Sequence, residues 1–292
     1  MTLRELGSLL KTTVVEFTRE HPLHHGAALS YYAIMALIPI LYLSVTFFGS
    51  WVGQDTMQEI ISELLHENVG IKDVGGIIEF LGQVDLTGSF ALKTIGVIAL
   101  MLSSTAILNS LKRSMMEFYD LDKRKLGRRK KIVRNIIFRL VSMLVIGAMT
   151  SIIIALYFLE TLVLSLEETY FSDNAFISWL FSGFAHHMLP VLLNFIVFTF
   201  IFKYLHDGVV RWKVAITGGI VTGIFLYLGQ LLIKFYLANY FFASEGGVAG
   251  TFLVILVWVY YSSQILFLGA KFSYVYAKFI GSPIQTREYL ND

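Results

Sequence analysis

Apolar residues gather into six long segments, at about 27–51, 91–115, 136–159, 179–202, 214–236 and 248–274. Each meets the length of about 20 mainly apolar residues that a helix needs to cross a bilayer. The first contains no charged residue, and Pro39 lies within it. A membrane helix tolerates such a proline when neighbouring groups satisfy the freed carbonyl. Strand-like alternation of apolar and polar positions is absent, which argues against a transmembrane barrel. The pattern predicts an all-α polytopic membrane protein with six transmembrane helices.

The segments between the spans are patterned too. Before the first one, Leu3, Leu6, Leu10, Val14 and Phe17 recur at helical spacing among charged residues. Residues 1–24 therefore read as an amphipathic N-terminal helix, lying on the membrane or packed on the protein's own surface. Charges throughout its first 20 residues leave no h-region for a cleavable signal peptide. Residues 25–279 form the expected transmembrane domain, and 280–292 a short tail. The longest stretch between spans, 52–90, has an apolar face of Met57, Ile60, Ile61, Leu64 and Leu65, and a second short apolar run at 74–84. Two short helices joined near Gly70 and Gly75 are expected there, acting as a lid or as a structural cap.

Composition agrees with a lipid environment. Hydrophobic residues make up 56% of the chain and charged ones 15%, with a mean hydropathy of +0.67, against roughly 25% charged in soluble domains. With no cysteine, disulfides, thiol catalysis and Cys-ligated metals are excluded.

The net charge of +2 hides a separation of sign. Asp55, Glu59, Glu63, Glu67, Asp73, Glu79 and Asp85 crowd the first long loop with Lys72 alone to oppose them. Of the 23 Lys and Arg residues, all but Lys72, Lys93 and Lys234 fall on the other side of a six-span arrangement. The positive-inside rule then places both termini in the cytoplasm. The densest basic run, Lys123, Arg124, Lys125, Arg128, Arg129, Lys130 and Lys131, lies between the second and third spans. There it serves as a topology determinant and a candidate contact for anionic inner-leaflet headgroups, each residue adding about 1 kcal/mol of attraction. Nucleic acid is not an expected partner.

Polar residues inside spans are costly and therefore informative. Glu160, His186, His187, Gln230 and Lys234 are expected at similar depth in the outer half, with Asn194 and Gln264 nearer the middle. They either line an outward-facing polar cavity for a substrate or tie helices together while Lys234 snorkels to the interface. Gly219 and Gly223 form a GxxxG element, suited to close packing within the chain or to a homo-oligomer seam. The His21, His24 and His25 cluster lacks a carboxylate-bearing zincin spacing, and no glycine-rich phosphate loop follows a strand. No metal, cofactor or enzymatic activity is expected.

Three groups of residues carry a resemblance over nearly the whole length. They are Ala27-Ala28-Leu29-Ser30-Tyr31-Tyr32 with Leu37-Ile38-Pro39, then Ile95-Gly96-Val97 leading to Leu108-Asn109-Ser110-Leu111, and finally Val210-Arg211-Trp212-Lys213, Trp258-Val259-Tyr260-Tyr261 and Leu268-Gly269-Ala270. In their order and spacing the chain resembles the YihY / virulence factor BrkB family of bacterial inner-membrane proteins. The resemblance implies a multi-pass inner-membrane protein that transports or exports a lipid, amphiphile or small solute. An older ribonuclease label attached to that family finds no support here, because no acid–base pair or metal-binding carboxylate cluster faces the cytoplasmic side. The alternative expectation is a non-transporting scaffold that binds partners or anionic lipid through the basic loop.

Overall fold

A computed structural model describes residues 3–64, 90–121, 188–240 and 247–286, with Gly183 and scattered positions between 144 and 165. Seven helices are described in full. They are α1 (Leu3–Arg19), α2 (Pro22–Val52), α3 (Gln54–Leu64), α4 (Phe90–Phe118), α5 (Leu189–Tyr204), α6 (Trp212–Tyr240) and α7 (Gly247–Phe279). The described positions between 144 and 165 are helical. Among the described residues, four helices are long and apolar enough to cross a membrane: Pro22–Val52, Thr94–Phe118, Trp212–Ile233 and Phe252–Phe279. Much of the expected third span, the start of the fourth and the second loop helix lie outside the described residues.

Local chemistry accounts for the helix ends. Pro22 occupies the first turn of α2, where its missing N–H costs nothing. Gly53 ends that helix at φ 97°, its N–H donating to the Gly49 carbonyl, and only glycine adopts that backbone without strain. The α4 terminus is a Schellman turn: Leu121 N–H donates to the Met116 carbonyl at 2.9 Å and Asp120 N–H to that of Glu117 at 3.0 Å. Asp120 takes the left-handed position at φ 53°.

All four long helices overrun the predicted membrane segments at one end of the bundle. Packing explains the extension of α4, since Met115, Phe118 and Tyr119 are completely buried. Lys112 and Arg113 lie in the last two turns of this helix, ahead of the basic run at 123–131.

The long α7 is the central member, meeting α1, α2, α4, α5 and α6. Around its C-terminal half, Phe267 and Ala270 join Phe118, Met115, Phe202, Val210 and Val214 in one core. A second core at the far end joins Tyr42, Leu43 and Val45 of α2 to Leu100, Val254, Ile255 and the α3 face of Met57, Ile60 and Ile61. That face is almost wholly buried, so α3 is a cap packed into the bundle. Gly219 and Gly223 press on the backbone of α5 at Phe195 and Thr199. The GxxxG element thus joins helices of the same chain.

Outward faces remain apolar. Ile216, Ile220, Ile224 and Leu228 form an exposed stripe along α6, and Tyr31, Met35 and Ile38 one along α2. Such continuous apolar surface is incompatible with water and suits lipid. Among the described residues, one paired feature is not helical. Gly208–Val209 pairs antiparallel with Gln285–Thr286, tying the end of the described chain to the α5–α6 connection. Two-residue pairing has no periodic signature, which is why the helical reading passed over it.

Candidate functional site

The α1 helix packs against α7, so both ends of the described chain lie at one end of the bundle. The packing face of α1 is Leu9, Thr13, Glu16 and Phe17, with Leu9 and Thr13 buried. Leu10 and Val14, members of the apolar stripe read from the sequence, are exposed. The helix is thus turned so that two carboxylates, Glu16 and Glu20 just beyond its end, face the bundle.

They meet Lys271. This α7 side chain is 3% exposed and places Nζ 3.0 Å from Glu20 Oε1 and 3.6 Å from Glu16 Oε2. It also donates to the carbonyl of Phe118 at 3.3 Å, one of the orphan acceptors at the C-terminus of α4. Its ammonium lies 4.6 Å from the Tyr274 ring centre, and the Tyr274 hydroxyl donates to Asp120 Oδ2 at 3.2 Å. A buried lysine needs this kind of full pairing, because an isolated ammonium would deprotonate or destabilise the fold. The group binds α1, α4 and α7 together.

Beside it opens a recess of 730 Å³ between α2 and α4. Glu20, His25, Arg113, Glu117 and Asp120 line it where α4 ends, and Asn109, Ser110, Tyr32, Ala28 and Ala106 are among the residues that line it elsewhere. Ala106, Asn109, Arg113 and Glu117 follow one another at three- and four-residue intervals along one face of α4, and Asp120 stands in the turn that ends it. His25 bridges the wall: Nδ1 is 2.9 Å from Ser114 Oγ, and Nε2 is 3.6 Å from Glu117 Oε1. Its ring packs edge-on to Phe118 and Phe267.

Neighbouring polar groups are structural. Lys112 pairs with Asp207 at 2.8 Å, and Lys203 bonds the Val210 carbonyl and sits over Trp212. His206 is buried, with Nε2 2.7 Å from the Phe202 carbonyl while Nδ1 accepts from Gly208 N–H. Those two partners select the neutral Nε2–H tautomer. Tyr119 stacks edge-on against that ring at 4.7 Å. Burial pushes the Tyr119 hydroxyl well above the ordinary tyrosine range, so it stays protonated.

Of the polar residues singled out from the sequence, Gln264 donates from Nε2 to the Pro22 carbonyl at 3.2 Å, against the small Gly26. Asn194 and Gln230 are half-buried on α5 and α6. Lys234 lies on α6, its side chain outside the described residues, as are Glu160, His186 and His187. Lys123, Arg124, Lys125, Arg128, Arg129, Lys130 and Lys131 are outside them as well. No group of three or more potential ligands is placed to hold a metal among the described residues.

Sequence reasoning missed the recess. Signals for it existed: Lys271 is a cation inside an apolar helix, and Glu16 and Glu20 sit one turn apart on a helix expected to be amphipathic. Tyr32 and Asn109 belong to two of the sequence elements that carried the family resemblance, and here they face the same recess.

Fold and surface together define an all-α integral membrane protein. The family model for virulence factor BrkB matches residues 13–287, and the chain belongs to that family. Relatives are named UPF0761 membrane proteins. The one from Stenotrophomonas maltophilia (strain R551-3) is 24% identical over 269 residues, covering 90% of this chain and 59% of its own length. That of Alkalilimnicola ehrlichii is 24% identical over 265 residues, covering 90% and 57%. That of Glaesserella parasuis serovar 5 is 23% identical over 220 residues, covering 74% and 72%. The chain thus spans somewhat more than half the length of the first two. No solved structure matches.

Proposed function

We propose that this protein is a transporter or exporter of the cytoplasmic membrane, acting on a lipid, an amphiphile or a small solute. The observation that carries this reading is the recess between α2 and α4. Charged side chains line it where α4 ends, and polar and small side chains line it further along the two helices. A protein that only anchors or recruits partners has no use for such a cavity. The alternative scaffold, binding anionic lipid through Lys123–Lys131, would work with a closed bundle.

The distribution of Lys and Arg orients the recess towards the cytoplasm. On this reading the polar residues expected from the sequence at the opposite end, Glu160, His186, His187, Gln230 and Lys234, are the candidates for an outward-facing opening. Alternating access rearranges helices around a binding site between the two sides. Both readings leave the protein without enzymatic activity, bound cofactor or nucleic-acid partner.

The test is movement across a bilayer. The purified chain is reconstituted into vesicles holding head-labelled lipids or labelled small zwitterions in the lumen-facing pool. The expected result is translocation above protein-free vesicles, slowed at least fivefold by Ala106→Trp, which narrows the recess. Absence of movement for every class of probe would sink the transport reading.

A further inference from the structure

The charges around the recess are not equivalent. Glu20 is occupied by Lys271 at 3.0 Å. Asp120 accepts a hydrogen bond from Tyr274 and keeps acceptor positions free on an exposed carboxylate. Glu117 has His25 at 3.6 Å, a partner that is neutral unless the ring is protonated. Arg113 makes no ion pair among the described residues, although Glu117 lies four positions along the same helix, where pairing is geometrically open. A guanidinium and two available carboxylates therefore face one cavity without neutralising each other.

A simple anion would find Arg113 but be repelled by Glu117, Asp120 and Glu20. A simple cation would leave Arg113 unmatched beside it. A zwitterion satisfies both. Arg113 and Glu117 are one helical turn apart, a rise of about 6 Å, which suits a phosphate and an ammonium joined by a two-carbon linker. Guanidinium recognises phosphate through paired N–H donors, and the carboxylates receive the ammonium. Further along the helices, Ala28, Ala106 and the ring of Tyr32 offer carbon surface for whatever chain the head group bears.

Building on the transport reading, we infer that the α2–α4 recess recognises a phosphate–ammonium zwitterion, Arg113 holding the phosphate while Glu117 and Asp120 hold the ammonium. The same head exists on a lipid and as a free solute, and the experiment separates the two.

Purified full-length chain in detergent is titrated by calorimetry with dihexanoyl phosphatidylethanolamine, dihexanoyl phosphatidylglycerol and free phosphoethanolamine. The expected result is binding of the ethanolamine lipid at least tenfold tighter than the glycerol lipid, which lacks the ammonium. Arg113→Gln and Glu117→Gln each weaken it at least tenfold, and Glu117→Gln also narrows the gap to the glycerol lipid by relieving repulsion. Both side chains are exposed on α4, so the variants fold, which an unchanged melting temperature verifies. Free phosphoethanolamine binding as tightly as the lipid identifies a soluble zwitterion; binding at least tenfold weaker identifies a lipid. Equal or tighter binding of the glycerol lipid by the unaltered chain, or variants that bind as it does, overturns the inference. That failure leaves vesicle translocation untouched, whereas tight zwitterion binding without translocation removes only the transport reading.

Discussion

Lys271 and Glu20 are 251 positions apart in the chain, yet their side chains meet at 3.0 Å inside the bundle. The lysine is almost fully buried while Glu20 and Glu16 keep 28% and 30% exposure. This asymmetry predicts unequal mutational costs. Glu16→Gln with Glu20→Gln leaves a buried ammonium without a counter-charge, a defect of roughly 3 kcal/mol or more. Lys271→Met instead leaves two carboxylates that reach water. Its cost is expected to be smaller, and the triple variant should recover most of the loss. Denaturant melts in detergent check the order; equal damage from both changes would contradict it.

Asp120 combines a strained backbone with a side chain at the recess. Asp120→Gly removes the strain, worth about 1 kcal/mol, while losing the hydrogen bond from Tyr274, also worth about 1 kcal/mol. Stability should therefore change by no more than about 1 kcal/mol. Binding of the ethanolamine head group should nevertheless fall about tenfold, as 1.4 kcal/mol of lost ion pairing would give. Asp120→Asn, which also tolerates the left-handed region, should lose binding without the backbone gain. Thermal melts and calorimetry on the two variants separate the effects.

The α3 helix is expected to behave as part of the core. Met57 and Ile60 are 1% and 2% exposed, so Met57→Ala and Ile60→Ala should each cost about 2–5 kcal/mol. A lid would show little loss of stability and a change in transport instead. Chemical melts decide the matter.

What the sequence disclosed and what it hid follow from the range of the interactions. Helices α2, α4, α6 and α7 were legible because apolar length is a local property of each segment. The face of Met57, Ile60 and Ile61 was legible for the same reason, through its helical spacing. For α1, periodicity pointed to Leu10 and Val14, and both are exposed. Its rotation is set by Lys271, a partner no local pattern on α1 reveals. Arg113 faces the recess through the packing of α2 on α4, which no local pattern marks. Asn109 and Tyr32 stood out only as parts of separate sequence elements, and packing of α2 on α4 makes them one site. The antiparallel pair at Val209 and Gln285 was hidden by its brevity.

Two glycines in helices should respond in opposite ways to substitution. An added Cβ at Gly7 meets nothing within 4 Å, whereas at Gly219 it would lie 3.0 Å from the Phe195 carbonyl oxygen and the Thr199 amide nitrogen. Gly7→Ala should stabilise by about 0.5–1 kcal/mol through helix propensity. Gly219→Ala must push α5 and α6 apart against backbone atoms and should cost about 1–3 kcal/mol. Melting temperatures moving in the same direction would refute the packing of these helices.

Orientation can be read directly because the chain has no cysteine of its own. Single substitutions Ser8→Cys and Ser282→Cys report on α1 and the turn after α7, and Asp55→Cys on the start of α3 at the far end. Ser8 and Asp55 are exposed and Ser282 partly so, so each thiol is available to a maleimide without unfolding. If the basic end faces the cytoplasm, an impermeant maleimide added to intact spheroplasts labels Asp55→Cys alone. Ser8→Cys and Ser282→Cys then react only after permeabilisation. The reverse pattern would place the charged end of the recess outside, with Arg113 and Glu117 meeting their zwitterion from that side. Labelling of Ser8→Cys and Ser282→Cys from opposite sides would contradict the packing of α1 on α7, since Lys271 could not then reach Glu20.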